Sequence, residues 1–100
     1  ANNGDLPSTL TEVIKHLTPK ARASIIRPII LQILLEKRAS ADELAVILNR
    51  DVKSLQNTHL AQMRKTDLIA YVYPEVINHP NQAYVITEKG KTWLKHEGKS

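Results

Sequence analysis

The sequence has no cysteine, and its three glycines, Gly4, Gly90 and Gly98, stand far apart. Without cysteine there are no disulfides and there is no thiolate chemistry. Without clustered glycines ahead of a Lys-Ser/Thr pair there is no phosphate-binding P-loop. The four histidines are scattered at spacings unlike those of zinc ligands. We therefore expect these 100 residues to hold no metal, nucleotide or other cofactor and to have no enzymatic activity.

Long apolar runs are absent as well. No run approaches the roughly 18 apolar residues of a membrane-spanning helix, and the start, ANNGDLPST, has neither the basic nor the apolar region of a signal peptide. We expect a soluble, cytoplasmic chain with no membrane partner. Its one methionine, Met63, is internal, which indicates a fragment of a longer protein. With 42% apolar residues the chain suffices for one domain, predicted over 9–98 behind a flexible tail, 1–8.

The apolar residues of the first half recur at helical spacing. A first helix is predicted to begin near Thr9, which forms a capping box with Glu12 ahead of an apolar stripe. The next apolar run, residues 21–38, contains Pro28. Because proline lacks an amide hydrogen, Pro28 either kinks one helix or lies in the first turn of a new one, and the sequence leaves both open. The stretch from Pro28 to Lys37 is predicted to be the most buried helix.

Two further capping signals predict a helix-turn-helix. Ser40 and Glu43 form a capping box ahead of a helix of about eight residues. Asp51 can cap another helix, which runs to about Lys65. The two helices then meet through about three or four residues, which is the spacing of a helix-turn-helix.

The helix predicted over 52–65 carries the candidate site. On a helical wheel its apolar side holds Val52, Leu55, Gln56, His59, Leu60 and Met63. The other side is polar, and from Lys53 onward it has no acidic residue before Asp67. Short hydrogen-bonding side chains between cations suit base edges and flanking phosphates in a major groove. An ordinary solvated face is the alternative, and His59 is interpreted as a side chain packed at the edge of the core.

The candidate DNA-binding residues follow from that polar side. We expect Asn57 and Ser54 to meet base edges, and the cations to meet phosphates. The full predicted set is Arg50, Lys53, Ser54, Asn57, Thr58, Ala61, Arg64 and Lys65.

After this helix the period of the apolar residues changes from 3.6 to 2. Residues 68–73 and 82–86 are rich in β-branched and aromatic side chains and predict an antiparallel hairpin. A last helix is predicted from Thr87, with Trp93 and Leu94 packed on the core. The predicted fold is therefore mainly α with a small β-hairpin, a winged helix-turn-helix with the hairpin as the wing.

The connection between the two strands, PEVINHPNQAY, contains no Lys or Arg. Pro74 and Pro80 restrict the backbone near its two ends, so the connection is expected to hold its shape. Without cations it gains no counterion release on a phosphate backbone. We interpret it as a structural or protein-facing turn.

Three stretches resemble a known family: SADELAVILNRDVKSLQNTHLAQM, DLIAYVYPEVINHPNQAY and ITEKGKTWL, which together span Ser40 to Leu94. They are similar to the C-terminal winged-helix domain of RecG-related ATP-dependent DNA helicase and transcriptional regulator proteins, whose N-terminal part carries a Schlafen-type, AlbA-like DNA-binding domain. The resemblance implies a DNA-targeting or regulatory module rather than the catalytic part. Asp67 stands at a left-handed position where winged helices commonly have glycine.

Two classes of function are compatible with the sequence. The first is binding of duplex DNA through the helix over 52–65. The second is a protein-interaction winged helix that docks on the remainder of its parent protein or forms a homo-oligomer, for which we expect an apolar surface patch near the wing or the first helix.

Overall fold

A computed structural model describes residues 8–18 and 22–97. The helices are α1 (Ser8–Lys15), α2 (Ala23–Glu36), α3 (Ala41–Leu48), α4 (residues 52–65) and α5 (Glu88–Glu97), and the strands are β1 (Ile69–Tyr71) and β2 (Tyr84–Ile86). The predicted mainly helical class with a small β-hairpin is confirmed. The assignment to winged helices stays a prediction. Of the predicted tail, 1–8, only Ser8 lies within the described residues, and α1 begins there.

Helix α2 forms the centre of the core. Its buried side chains are Ile26, Ile29, Ile30, Leu31, Ile33 and Leu34. Each contributes roughly 1.5–3 kcal/mol through removal of apolar surface from water. Pro28 lies inside this helix, beyond its first turn, so no new helix begins at the proline. Burial of the surrounding apolar side chains offsets the backbone hydrogen bond that proline cannot make.

The two helices α3 and α4 begin at the predicted caps. The Ser40 hydroxyl accepts from the Glu43 amide at 3.1 Å, and the Glu43 carboxylate accepts from the Ser40 amide at 2.9 Å. The Asp51 carboxylate accepts from the Ser54 amide at 2.9 Å and starts α4. Asn49, in the left-handed conformation at φ 57°, ends α3. The predicted pair of helices with a short connection, residues 49–51, is confirmed.

The hairpin is shorter than predicted, because the ends of the predicted strands make other hydrogen bonds. The Leu68 amide donates to Met63 O at 2.9 Å and closes α4, while the Tyr73 amide donates to the Gln82 side chain at 2.9 Å. Three residues pair on each strand, with Tyr71 opposite Tyr84. Beyond them lies the hairpin loop, residues 72–83. Ala39 bridges to Tyr84 on the other side, a pairing that the sequence analysis did not predict.

The junction between the hairpin and α5 is tightly packed. Asp67 has φ 63°, the left-handed conformation expected at this position. The Thr87 hydroxyl accepts from the Gly90 amide at 3.0 Å and faces the carbonyl oxygens of Asp67 and Leu68. Trp93 and Leu94 pack against the core, as predicted. Within the described ranges, no helix combines the length and apolar character needed to cross a membrane.

Gly90 should be the least replaceable residue of this junction. A Cβ there would overlap the carbonyl oxygen of Leu68 and lie 2.8 Å from Ile86 Cγ1. Gly90→Ala gains about 1 kcal/mol of helix propensity, but we expect the overlap to outweigh it and to lower the free energy of unfolding by about 1–3 kcal/mol. Urea unfolding followed by circular dichroism measures this change. Lys89→Ala, an exposed change on the same helix, is the control, and a Gly90→Ala variant as stable as the parent would contradict the packing argument.

Candidate nucleic-acid interface

Helix α4 is not a uniform α-helix. It consists of Val52–Leu55, a π-helical turn over Gln56–Leu60, and Ala61–Lys65. The Ala61 amide donates to the carbonyl of Gln56, five residues earlier, instead of to the fourth residue back. This π-turn inserts one extra residue into the turn, so the side chains after it are rotated by about 100° relative to a regular helical wheel.

The rotation changes which side chains face the core. Leu55 and Leu60 are five positions apart, and both are almost completely buried, together with Met63. Gln56, which the regular wheel placed on this side, is exposed. The π-turn therefore brings closer together two leucines that a regular wheel places at the two edges of its apolar side.

The outward side of α4 retains most of the predicted polar residues. Its exposed members are Lys53, Ser54, Asn57, Thr58 and Lys65, which we call the exposed ridge. No acidic residue interrupts the sequence from the first to the last of them. Because all five residues are exposed to solvent, no part of the described chain covers the ridge.

Arg64 and Ala61, which both follow the π-turn, differ from the wheel's placement. Ala61 is half-buried. The Arg64 guanidinium lies over the Tyr71 ring, 4.4 Å from its centroid, and its Nε is buried. Tyr71 in turn packs on Tyr84, whose pKa is raised to about 12 by burial and by the neighbouring Tyr71. Arg64 thus faces the hairpin instead of the ridge.

The Arg50 side chain also makes a contact within the protein. Its Nη2 donates to the carbonyl of Thr18 at 2.6 Å, which ties the connection between α3 and α4 to the residues that follow α1. The Arg50 side chain is half-buried. The structure therefore brings together five of the eight predicted residues on the ridge and turns Arg50, Ala61 and Arg64 away from it.

Arg27 of α2, which is not among the predicted site residues, contacts the middle of α4. Its Nη2 donates to the Thr58 carbonyl at 3.1 Å, and its Nε donates to His59 Nδ1 at 3.5 Å. A signal was present, since Arg27 is the one charged residue between Ala23 and Leu35. A cation inside an apolar run needs a polar partner, because arginine is almost never buried unpaired.

His59 is half-buried at the edge of the core, and it also accepts a hydrogen bond. Burial lowers the pKa of His59, and the positive charges of Arg27 and Arg50 lower this pKa further. The neutral imidazole accepts at Nδ1, so its own hydrogen lies on Nε2. The predicted packing position was therefore right, but the side chain has a polar partner as well.

The lowered pKa of His59 makes stability depend on pH. As pH falls, the His59 side chain of the unfolded chain, with a pKa near 6.5, binds a proton at a higher pH than that of the folded chain. The free energy of unfolding should therefore fall as pH drops below about 6.5, until the folded pKa is passed. Urea unfolding at about pH 7.5, 6.5 and 5.5 measures the effect. His59→Gln should remove this part of the pH dependence, while His96→Gln, at an exposed position, should not; identical curves for the parent and His59→Gln would contradict the assignment.

The hairpin loop is organised around the Gln82 side chain. Its Oε1 accepts from the Tyr73 amide, and its Nε2 lies 2.9 Å from the carbonyls of Tyr73 and Ile77 and 3.2 Å from that of Val76. The Tyr73 ring stacks on His79 at 3.9 Å. These contacts give the loop a fixed shape, which the sequence analysis expected from its prolines.

The tip of this loop is apolar. Val76 is 50% exposed and Ile77 is 63% exposed. Beside the tip, a groove of about 430 Å³ separates the loop from the first turn of α3, and Asp42 lines it. A surface with apolar side chains, an acidic neighbour and no cation is poorly suited to phosphate.

Among residues 8–18 and 22–97, no three His, Asp or Glu side chains are placed to hold a metal ion. Comparisons with known proteins gave no match to a family model, a curated protein or a solved structure.

Proposed function

We propose that this chain is a non-catalytic winged-helix module that binds duplex DNA by placing α4 in the major groove. The observation that carries the proposal is the exposed ridge, five polar side chains that include two cations and no acid. An α-helix fits the width of the major groove, where base edges differ for each base pair.

The ridge divides into base-facing and phosphate-facing positions. Asn57 can make a bidentate pair with adenine, and Ser54 can bond to any base edge. Lys53 and Lys65, roughly 18 Å apart along the helix axis, suit phosphates on either side. With two phosphate contacts, log affinity should fall against log salt with a slope of about −1.8. One copy would bind weakly, and a dimer on two half-sites would bind more tightly.

The parent protein forms a separate part of the proposal. We suggest a larger RecG-related, helicase-like or transcriptional regulatory protein of the cytoplasm, in which this module provides DNA targeting. The support is the resemblance of Ser40 to Leu94. The comparisons with known proteins add nothing to that resemblance.

The test is titration of random-sequence duplex DNA into the isotope-labelled chain at several salt concentrations. We expect amide shifts confined to residues 53–65 and a salt slope of about −1.8. Lys53→Gln should reduce the magnitude of the slope by about 0.9. Lys89→Gln, an exposed change of equal charge on α5, is the matched control. Absence of salt-dependent binding at low ionic strength would contradict the proposal.

A second candidate function is docking on another protein through the apolar loop tip. Val76 and Ile77 are exposed on a loop whose backbone is fixed by Gln82, so the tip would lose little conformational freedom on binding. The partner would be a second copy of the chain or the remainder of its parent protein.

Substitution at the tip tests this second function. If the tip joins two copies, we expect concentration-dependent self-association in sedimentation equilibrium, and Ile77→Asp should abolish it because a buried carboxylate is costly. Val46→Asp is the matched control, since Val46 is an apolar side chain 68% exposed on α3 and outside the loop. A monomer at every concentration would exclude the second copy, and docking would then require the parent protein.

A further inference from the structure

We propose that Arg27 is a positioning residue that sets the π-turn of α4 and thereby the placement of Asn57 and Thr58 on the exposed ridge. This inference rests on the proposed DNA-binding function. Arg27 acts through the backbone of α4, without itself contacting DNA.

The guanidinium group joins two elements of different character. On one side Arg27 belongs to α2, where the adjacent Ile26 is only 2% exposed, so its backbone is held by the core. On the other side its Nη2 reaches the Thr58 carbonyl at 3.1 Å, within the π-turn. Insertion of a side chain at the backbone ladder is a recognised cause of helix irregularity. A donor fixed on α2 therefore determines where the turn of α4 lies.

The second arm of the guanidinium fixes the orientation of the turn. Nε donates to His59 Nδ1 at 3.5 Å, one residue beyond Thr58, so the planar fork contacts neighbouring residues at once. The charged groups that act on His59 are Arg27 from α2 and Arg50 from the connection 49–51, and both favour the neutral imidazole. Among the described residues no carboxylate pairs with His59. The contact is therefore complete near neutral pH.

Lysine and arginine differ in how they bind two acceptors at once, so substitution of Arg27 by lysine tests the role of the planar guanidinium. Arg27→Lys keeps the charge but loses the planar fork, whereas Arg27→Gln loses both. Both replacements are good helix formers, so α2 should be retained. Arg22→Gln is the matched control, because Arg22 is an exposed cation at the start of the same helix.

Each variant is used to select duplexes from a pool of random sequence, and binding of the best selected duplex is compared with that of a scrambled duplex. The parent and Arg22→Gln should discriminate equally. Both Arg27 variants should lose discrimination by roughly tenfold or more, the worth of one bidentate base contact. Their salt slopes should match that of the parent, because Arg27 is proposed to make no phosphate contact. Loss of such a contact would reduce the magnitude of the slope by about 0.9.

The imidazole of His59 gives a readout that does not need DNA. In a nuclear magnetic resonance titration of the folded chain, Arg27→Gln should raise the pKa of His59, since a neighbouring positive charge is removed. The amides of the π-turn should shift in both Arg27 variants. Arg22→Gln should leave these signals unchanged.

Three outcomes of the binding experiment would overturn the inference. Unchanged discrimination in Arg27→Gln would show that the contact does not set the reading positions. Parent-like discrimination in Arg27→Lys would show that charge alone suffices, and a reduced salt slope would show a direct phosphate contact. If the parent does not bind DNA at all, the proposed function fails. Separately, unchanged π-turn amide signals and an unchanged pKa of His59 in Arg27→Gln would exclude the positioning role.

Discussion

The π-turn of α4 is the constraint on which the surface of this protein depends. In a regular helix, side chains five positions apart point in directions about 140° apart, so Leu55 and Leu60 would lie at the two edges of the apolar side. One extra residue in the turn brings them together, and both are almost completely buried. The same rotation carries Arg64 toward the hairpin, where it lies over Tyr71. Core packing and surface chemistry on this helix therefore share one cause.

The cations around α4 divide by type. Arg27, Arg50 and Arg64 all contact the protein, through the Thr58 carbonyl, the Thr18 carbonyl and the Tyr71 ring respectively. Lys53 and Lys65 remain exposed. Arginine suits contacts within the protein because its planar fork donates in fixed directions and stacks on rings. The strongly hydrated ammonium of lysine favours solvent or phosphate. A count of the positive charges around α4 therefore overestimates the number of cations that remain exposed.

What the sequence predicted correctly depended on interactions between near neighbours. The caps at Ser40 and Asp51 are hydrogen bonds to residues three positions away, so the starts of α3 and α4 followed from the sequence. The contacts of Arg27 and Arg50 span 31 and 32 residues and could not be found locally. The wheel placed Lys53, Ser54, Asn57, Thr58 and Lys65 on the exposed side, where the structure has them. It did not place Arg64 over Tyr71, because that contact joins the helix to the hairpin and a wheel contains neither the hairpin nor the extra residue of the π-turn.

The ridge is polar and cationic whereas the loop tip is apolar, and this difference in chemistry distinguishes the two candidate functions. In the proposed DNA complex, contact of Lys53 and Lys65 with phosphates would weaken with salt, because it would depend on counterion release. Contact through Val76 and Ile77 would not, since burial of their exposed apolar surface adds about 1 kcal/mol for each side chain at any ionic strength. A parent protein that held the tip would fix the orientation of the ridge, and the second contact would then form at a high effective concentration.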